Sequence, residues 1–156
     1  MPAKNKKVRI SAKAIVIRKG KLLLMRARDG AGVYYLLPGG GQNHGETLHE
    51  ALVRECLEET GILVRPGEPR YIRDYVAKNH EFAAADKDFH QVEFMFRCEF
   101  IRVVRGGARE LDVRQTGVSW IPLKELGRIK LYPSRLKILI GPSGRLRGPV
   151  YLGDSN

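Results

Sequence analysis

Residues 8–17 and 21–28 are apolar, β-branched or long-chain runs parted by Lys19-Gly20, a pattern that predicts two strands joined by a tight turn. Residues 29–32 hold two glycines and read as a loop, and 34–37 form a short apolar strand stopped by Pro38. Gly39, Gly40 and Gly41 then leave the backbone unusually free. From Thr47 the residues are helix-compatible, with no glycine or proline until Gly61, which suits the position just past a helix end. Residues 62–65 and 71–77 are strand candidates around Pro66-Gly67, and 78–89 reads as a polar loop. Val92, Phe94, Phe96, Cys98 and Phe100 alternate with mostly polar residues, the clearest period-two strand in the chain, which Gly106-Gly107 ends. Residues 118–121 predict a further strand, and 123–126 and 134–139 short helices. The basic tail 141–156 carries too many glycines and prolines to assign. Strands dominate around one well-marked helix, so an α+β or mixed α/β sandwich is expected.

At 156 residues the chain suits one domain spanning 1–156. Its 43% hydrophobic and 29% charged residues fit a globular protein. Residues 1–9 are polar and basic and the hydrophobics that follow are interrupted by Lys13, Arg18 and Lys19, so no export signal is visible. Nor does any apolar run approach membrane-spanning length. A soluble, cytoplasmic protein without a membrane partner is the expectation. Cys56 and Cys98 lack a CxxC spacing and neighbouring histidines, so reduced, partly buried thiols are expected rather than a zinc site. The net charge of +11 attracts phosphate-bearing partners such as nucleotides or nucleic acid. A solvated basic surface that keeps the protein soluble accounts for it equally well. The charge is uneven: residues 4–28 hold ten basic side chains and no acidic one, while carboxylates crowd the middle.

Within the predicted helix, Glu55, Glu58 and Glu59 stand at i, i+3 and i+4, which puts them on one face. They also occupy the last turn, where the helix dipole favours cations and disfavours each carboxylate by up to about 1 kcal/mol. Arg54 alone stands near to offset them. A bare ExxEE is most often the wet side of an amphipathic helix. A hard divalent cation reverses the balance, since Mg²⁺ takes carboxylate oxygens and bridges them to phosphates. The glycines before the helix allow close backbone approach to such an ion or to phosphate oxygens, or simply make a turn. No Lys-Ser or Lys-Thr pair follows them, so they are not a P-loop.

Residues 40–62, GGQNHGETLHEALVRECLEETGI, resemble the box of the Nudix hydrolase family. Gly40, Glu46, Arg54, Glu55, Glu58, Glu59, Gly61 and Ile62 fill its fixed positions, and Cys56 stands where an aliphatic residue is usual. Leu37-Pro38-Gly39-Gly40 and the VSWIPLKEL of residues 118–126 are similar to further family segments. The resemblance implies an α/β/α sandwich with a mixed β-sheet and hydrolysis of a pyrophosphate bond in a nucleoside diphosphate linked to another group. It implies Mg²⁺ or Mn²⁺ on Glu55, Glu58, Glu59 and the carbonyl of Gly39, with Glu55 the first choice of base. Glu46 and Arg54 would pair to fix the loop against the helix. A loop carboxylate is often added before the tryptophan; Asp112 and Glu110 are the nearest acids here. Glu93 and His90 are alternatives, more often structural at such positions. Arg26 and Arg28 close the second strand on one side and are candidates to grip phosphates. Tyr34 and Tyr35 are candidates to stack on a base, and Gly40 to approach the substrate. The partners admitted are a nucleotide-type substrate, RNA on account of the basic charge, and a second copy as a homodimer. Two rivals stand beside this reading: pyrophosphate removal from an RNA 5′ end, and a non-catalytic nucleotide- or RNA-binding module.

Overall fold

The computed structural model describes residues 6–104 and 115–156. β1 (Arg9–Arg18) and β2 (Lys21–Asp29) form the expected hairpin. Lys19 and Gly20, at φ 49° and 70°, give the left-handed turn that matches strand twist. The hairpin is paired at Ile17–Leu22 and Arg18–Lys21, and beyond these its arms part. β2 takes β3 (Gly32–Leu36) on one edge and β7 (Gln115–Pro122) on the other, both antiparallel, and β3 adds the parallel β8 (Leu131–Tyr132). β1 pairs with β4 (Gly39–Gly41) and, in parallel, with β6 (His90–Val103). Next come the antiparallel β5 (Ile62–Val76) and the parallel β9 (Tyr151–Asp154).

Helix α1 (Leu48–Thr60) is bounded as the sequence predicts. Thr47 and Glu50 exchange side-chain and backbone hydrogen bonds in a capping box, which satisfies amides the first turn leaves open. Gly61, at φ 68°, closes the helix by donating its N–H to the carbonyl of Leu57. Ala51, Leu52 and Cys56 are the buried stripe. They pack on Ala12, Ala14 and Val16 of β1 and on Phe96 and Cys98 of β6. The opposite parity of the same strands, Ile15 and Met95 with Tyr71 of β5, meets Leu123, Leu126, Leu136 and Leu139. These leucines come from a 3₁₀ turn over Leu123–Arg128 and from helix α3 (Leu136–Leu139). The mixed sheet is therefore covered on both faces, as the sandwich expectation required.

Several details differ from the sequence reading. The two strands expected at 62–65 and 71–77 are one strand, β5, whose register slips between Pro66 and Pro69 where the prolines lack N–H donors. The polar loop expected at 78–89 contains a 3₁₀ turn, Ala77–Asn79, and helix α2 (Ala83–Asp86). The glycine triplet is strand β4, and the unassigned tail supplies the edge strand β9. Both thiols are buried and free. Among the described residues no helix is long and apolar enough to cross a membrane.

Thr47→Ala removes the capping oxygen and is expected to cost about 1 kcal/mol in urea unfolding. An unchanged midpoint would remove the capping box from the account of where α1 begins.

Candidate active site

β4 sits so close to β1 that it admits no side chain at its first residue. A Cβ on Gly39, at φ 132°, would lie 2.1 Å from the carbonyl oxygen of Ala12. One on Gly40 would lie 2.5 Å from Cδ of Glu55. This tight seating brings the backbone against the end of α1. Gly39 N–H donates to Oε2 of the buried Glu59 at 3.1 Å, and Arg54 donates to the carbonyl of Gly41 at 3.1 Å.

Arg54 is the hub of this corner. Its Nε and Nη2 donate to the two oxygens of Glu46 at 2.5 and 2.9 Å, and its Nη1 donates to Glu55 at 2.8 Å and to Glu58 at 3.5 Å. Glu46 also accepts from the N–H of Asn43 at 2.9 Å. The Arg54 hydrogen bonds, helped by that amide, hold the Glu46 carboxyl at about 2. The expected Glu46–Arg54 pairing of loop and helix is thus present.

A cavity of about 740 Å³ opens beside this corner. Glu55, Glu58, Glu59, Gly39, Gly40 and Arg54 line one side of it. Strand residues of one parity form its floor: Arg9 and Lys13 of β1, Gln91 and Glu93 of β6, Arg73 of β5. Aromatic rings make the remaining wall. Tyr34, Phe82 and Tyr132 pack with centroids 5.4–5.9 Å apart, and Tyr75 meets Phe89 at 6.1 Å. Buried Arg73 and Glu93 are ion-paired on the floor, and Gln91 Nε2 donates to Glu93 at 2.9 Å. Burial opposes ionisation of Glu93, but Arg73, Lys13 and Arg9 outweigh it and keep the carboxyl below its ordinary range.

The carboxylates of α1 share the cavity without converging. Among the described residues, no three His, Cys, Asp or Glu side chains gather into a metal-holding group. Glu55 turns to Arg54 and Glu59 to the Gly39 amide, while the Glu58 side chain is 42% exposed. The carbonyl of Gly39 accepts from Lys13 Nζ at 2.9 Å, so an ammonium already stands on the oxygen expected to face a metal. The donors remain of the right kind: three carboxylates and nearby backbone carbonyls, without sulfur or imidazole, suit a hard divalent ion.

Other expected residues lie elsewhere. Arg26, Arg28 and Tyr35 are not among the cavity-lining residues. Tyr35 packs against the core, and Arg26, its partner in register, and Arg28 lie on the face of β2 opposite to that of Ala27, which pairs with Tyr34. Tyr34 does line the cavity. His90 contacts Asp74 at 3.0 Å, a cross-strand contact of β5 and β6. Glu110 and Asp112 fall outside the described residues. The sequence reading passed over Arg9, Lys13, Arg73 and Asn156. A signal existed: Arg9, Ser11 and Lys13 share parity with the core residues Ile15 and Ile17, as Glu93 does with Met95, and polar residues on a core-facing parity mark a cavity.

A family profile described as NUDIX domain matches residues 7–140. Solved structures of similar fold include a NUDIX hydrolase from Nitrosomonas europaea, with 22% identity over 79% of this chain and 78% of that one at a TM-score of 0.65. A MutT NUDIX hydrolase from Burkholderia pseudomallei is 24% identical over 85% and 96%, with a TM-score of 0.63. An ADP-ribose pyrophosphatase from Streptococcus suis is 20% identical over 81% of each chain, with a TM-score of 0.55. At these identities the likeness is one of fold.

Because the folded pKa of Glu46 is depressed from 4.5 to about 2, its contribution to stability is present above pH 4.5 and lost as pH falls toward 2. Thermal midpoints of the wild type and Glu46→Gln are expected to converge across that window. Curves that stay parallel would show that the Arg54 pairing carries no acid-sensitive stability.

Proposed function

The chain belongs to the NUDIX family, and from that premise we propose that it is a Mg²⁺- or Mn²⁺-dependent pyrophosphohydrolase acting on a nucleoside diphosphate linked to another group. The observation that carries this reading is the lining of one cavity by Glu55, Glu58 and Glu59 from a single helix end, together with Gly39, Gly40 and Arg54. One fold relative bears the name ADP-ribose pyrophosphatase, which agrees with the reaction class. Glu55, Glu58 and Glu59 would hold the ion, and the Gly39 carbonyl joins them if Lys13 moves off it. When bound, the ion supplies neutralising charge for a diphosphate and lowers the pKa of a water molecule.

The remaining work falls to the chain's own side chains. Arg54 fixes the glutamates' helix to the preceding loop and keeps Glu46 out of the reaction as a strut. The phosphate-gripping role read for Arg26 and Arg28 passes to Arg9 and Lys13. Arg9 lies against β4, where a Cβ on Gly41 would meet its guanidinium at 2.7 Å, and Lys13 reaches Gly39. Both cations line the cavity on the strand next to the glutamates. Tyr34, with Phe82 and Phe89, offers ring faces to a base in place of Tyr35. Glu55, turned to Arg54 yet lining the cavity, is assigned the proton of the attacking water at its carboxylate.

Glu58→Gln and Glu59→Gln are each expected to lower turnover of nucleoside diphosphate derivatives at least about tenfold. The fold should persist, because an amide at a helix C-terminus avoids the dipole penalty, and in Glu59→Gln the side-chain carbonyl oxygen can still accept from the Gly39 N–H. Excess EDTA should abolish turnover in the wild type. Equal rates in EDTA and in Mg²⁺ would refute the metal-dependent reading.

A further inference from the structure

Gly39 offers its two backbone groups to side chains of opposite charge. Its N–H donates to Glu59 at 3.1 Å, and its carbonyl accepts from Lys13 Nζ at 2.9 Å. Register makes the second contact: Lys13 and Gly39 are partners in the antiparallel pairing of β1 with β4, and Lys13 lines the same cavity as the glutamates of α1. The ammonium is only partly committed. It has three donors, and the Gly39 carbonyl is the one acceptor it meets among the described residues. Its charge thus rests on a neutral oxygen rather than on one of the carboxylates around the same cavity.

An ammonium and a divalent ion on one carbonyl oxygen would stand within a few ångströms of each other, and like charges that close repel strongly in a partly enclosed site. Lys13 and an ion therefore exclude one another at Gly39. The flexible four-carbon stem of a lysine lets the ammonium leave. Glu93, on the adjacent strand, offers it little, because each of its oxygens already accepts a hydrogen bond, one from Arg73 and one from Gln91. An anion brought into the cavity is the better receiver, and a phosphate has the acceptor oxygens for it. Gripping a phosphate and releasing the Gly39 carbonyl are then one movement of one side chain.

We propose that Lys13 is a positioning residue that couples ion and substrate: its ammonium keeps divalent ions off the Gly39 carbonyl until a phosphate group draws it away. The inference rests on the metal-dependent reading above. Its test is calorimetric titration with Mn²⁺, which needs no turnover. Lys13→Met and Lys13→Gln, both neutral, are expected to bind Mn²⁺ about tenfold more tightly than the wild type, and Lys13→Arg to bind it as the wild type does. Arg9→Met controls for the general field of the cavity, since Arg9 shares the strand, the parity and the cavity with Lys13 but makes no hydrogen bond to Gly39. Its gain should be clearly smaller. A second titration adds saturating adenosine 5′-monophosphate. The nucleotide should tighten Mn²⁺ binding in the wild type and do so by a smaller factor in the two neutral variants, where the obstacle it removes is already gone. Neutral variants that bind Mn²⁺ no more tightly than the wild type would overturn the proposal. An equal gain in Arg9→Met would overturn it too, because that is what diffuse repulsion from any cation gives, and so would a nucleotide effect of the same size in wild type and neutral variants. Failure of the underlying reading looks different: if neither the wild type nor any variant binds Mn²⁺, the metal-dependent reading itself falls, whereas equal binding by all of them keeps the metal and removes the gate.

Discussion

The corner where loop, strand and helix meet is organised around the guanidinium of Arg54. Its donors are shared among both oxygens of Glu46, one oxygen each of Glu55 and Glu58, and the carbonyl of Gly41. A planar fork with five N–H groups can serve so many acceptors in fixed directions; the compact ammonium of a lysine could not. The same contacts answer an electrostatic difficulty. Three carboxylates occupy the end of α1 where the helix dipole disfavours them, and no basic residue lies in that last turn. Arg54, one residue before Glu55, supplies the compensating charge and ties α1 to β4. The close approach of β4 to β1 and α1 in turn requires Gly39 and Gly40, because side chains there would collide with Ala12 and Glu55.

Charge is divided across the cavity in a way that net charge does not convey. The helix side is anionic, while β1 and β5 bring Arg9, Lys13 and Arg73 to the floor. Glu93 stands among these cations, fully committed to Arg73 and Gln91. Desolvating such a pair costs much of what its attraction returns, so it is a weak source of stability. Its geometric effect is clearer: it holds a guanidinium in one orientation below the cavity, and that guanidinium fixes Asn156.

The chain announced its helix far better than its floor. Capping residues, the glycine stop and the i, i+3, i+4 spacing are local signals, so the bounds of α1 and the shared face of Glu55, Glu58 and Glu59 could be read directly, while the pairing of Glu46 with Arg54 was legible only through the family resemblance. The floor is assembled by pairing between distant strands, and no local pattern announces which strand will lie beside which. β4 was illegible because three glycines carry no alternation, and β9 because glycines and prolines surround it. Strand parity across a pair is equally silent in the sequence: Ala27 pairs with Tyr34 and Arg26 with Tyr35, so Arg26 and Arg28 lie on the face of β2 opposite to the one that Tyr34 shares.

The parallel alignment of β1 with β6 has a bearing on how the molecule comes to be. Antiparallel neighbours can close through a short turn, but β1 and β6 meet after α1 and the whole of β5 have intervened. Contacts between such remote segments slow acquisition of the native state, because loop entropy is lost before they form. Lys13 and Glu93 come to lie on neighbouring strands through this pairing. A partly assembled chain could therefore carry a well-capped helix with its glutamates in place and still lack a floor beneath them.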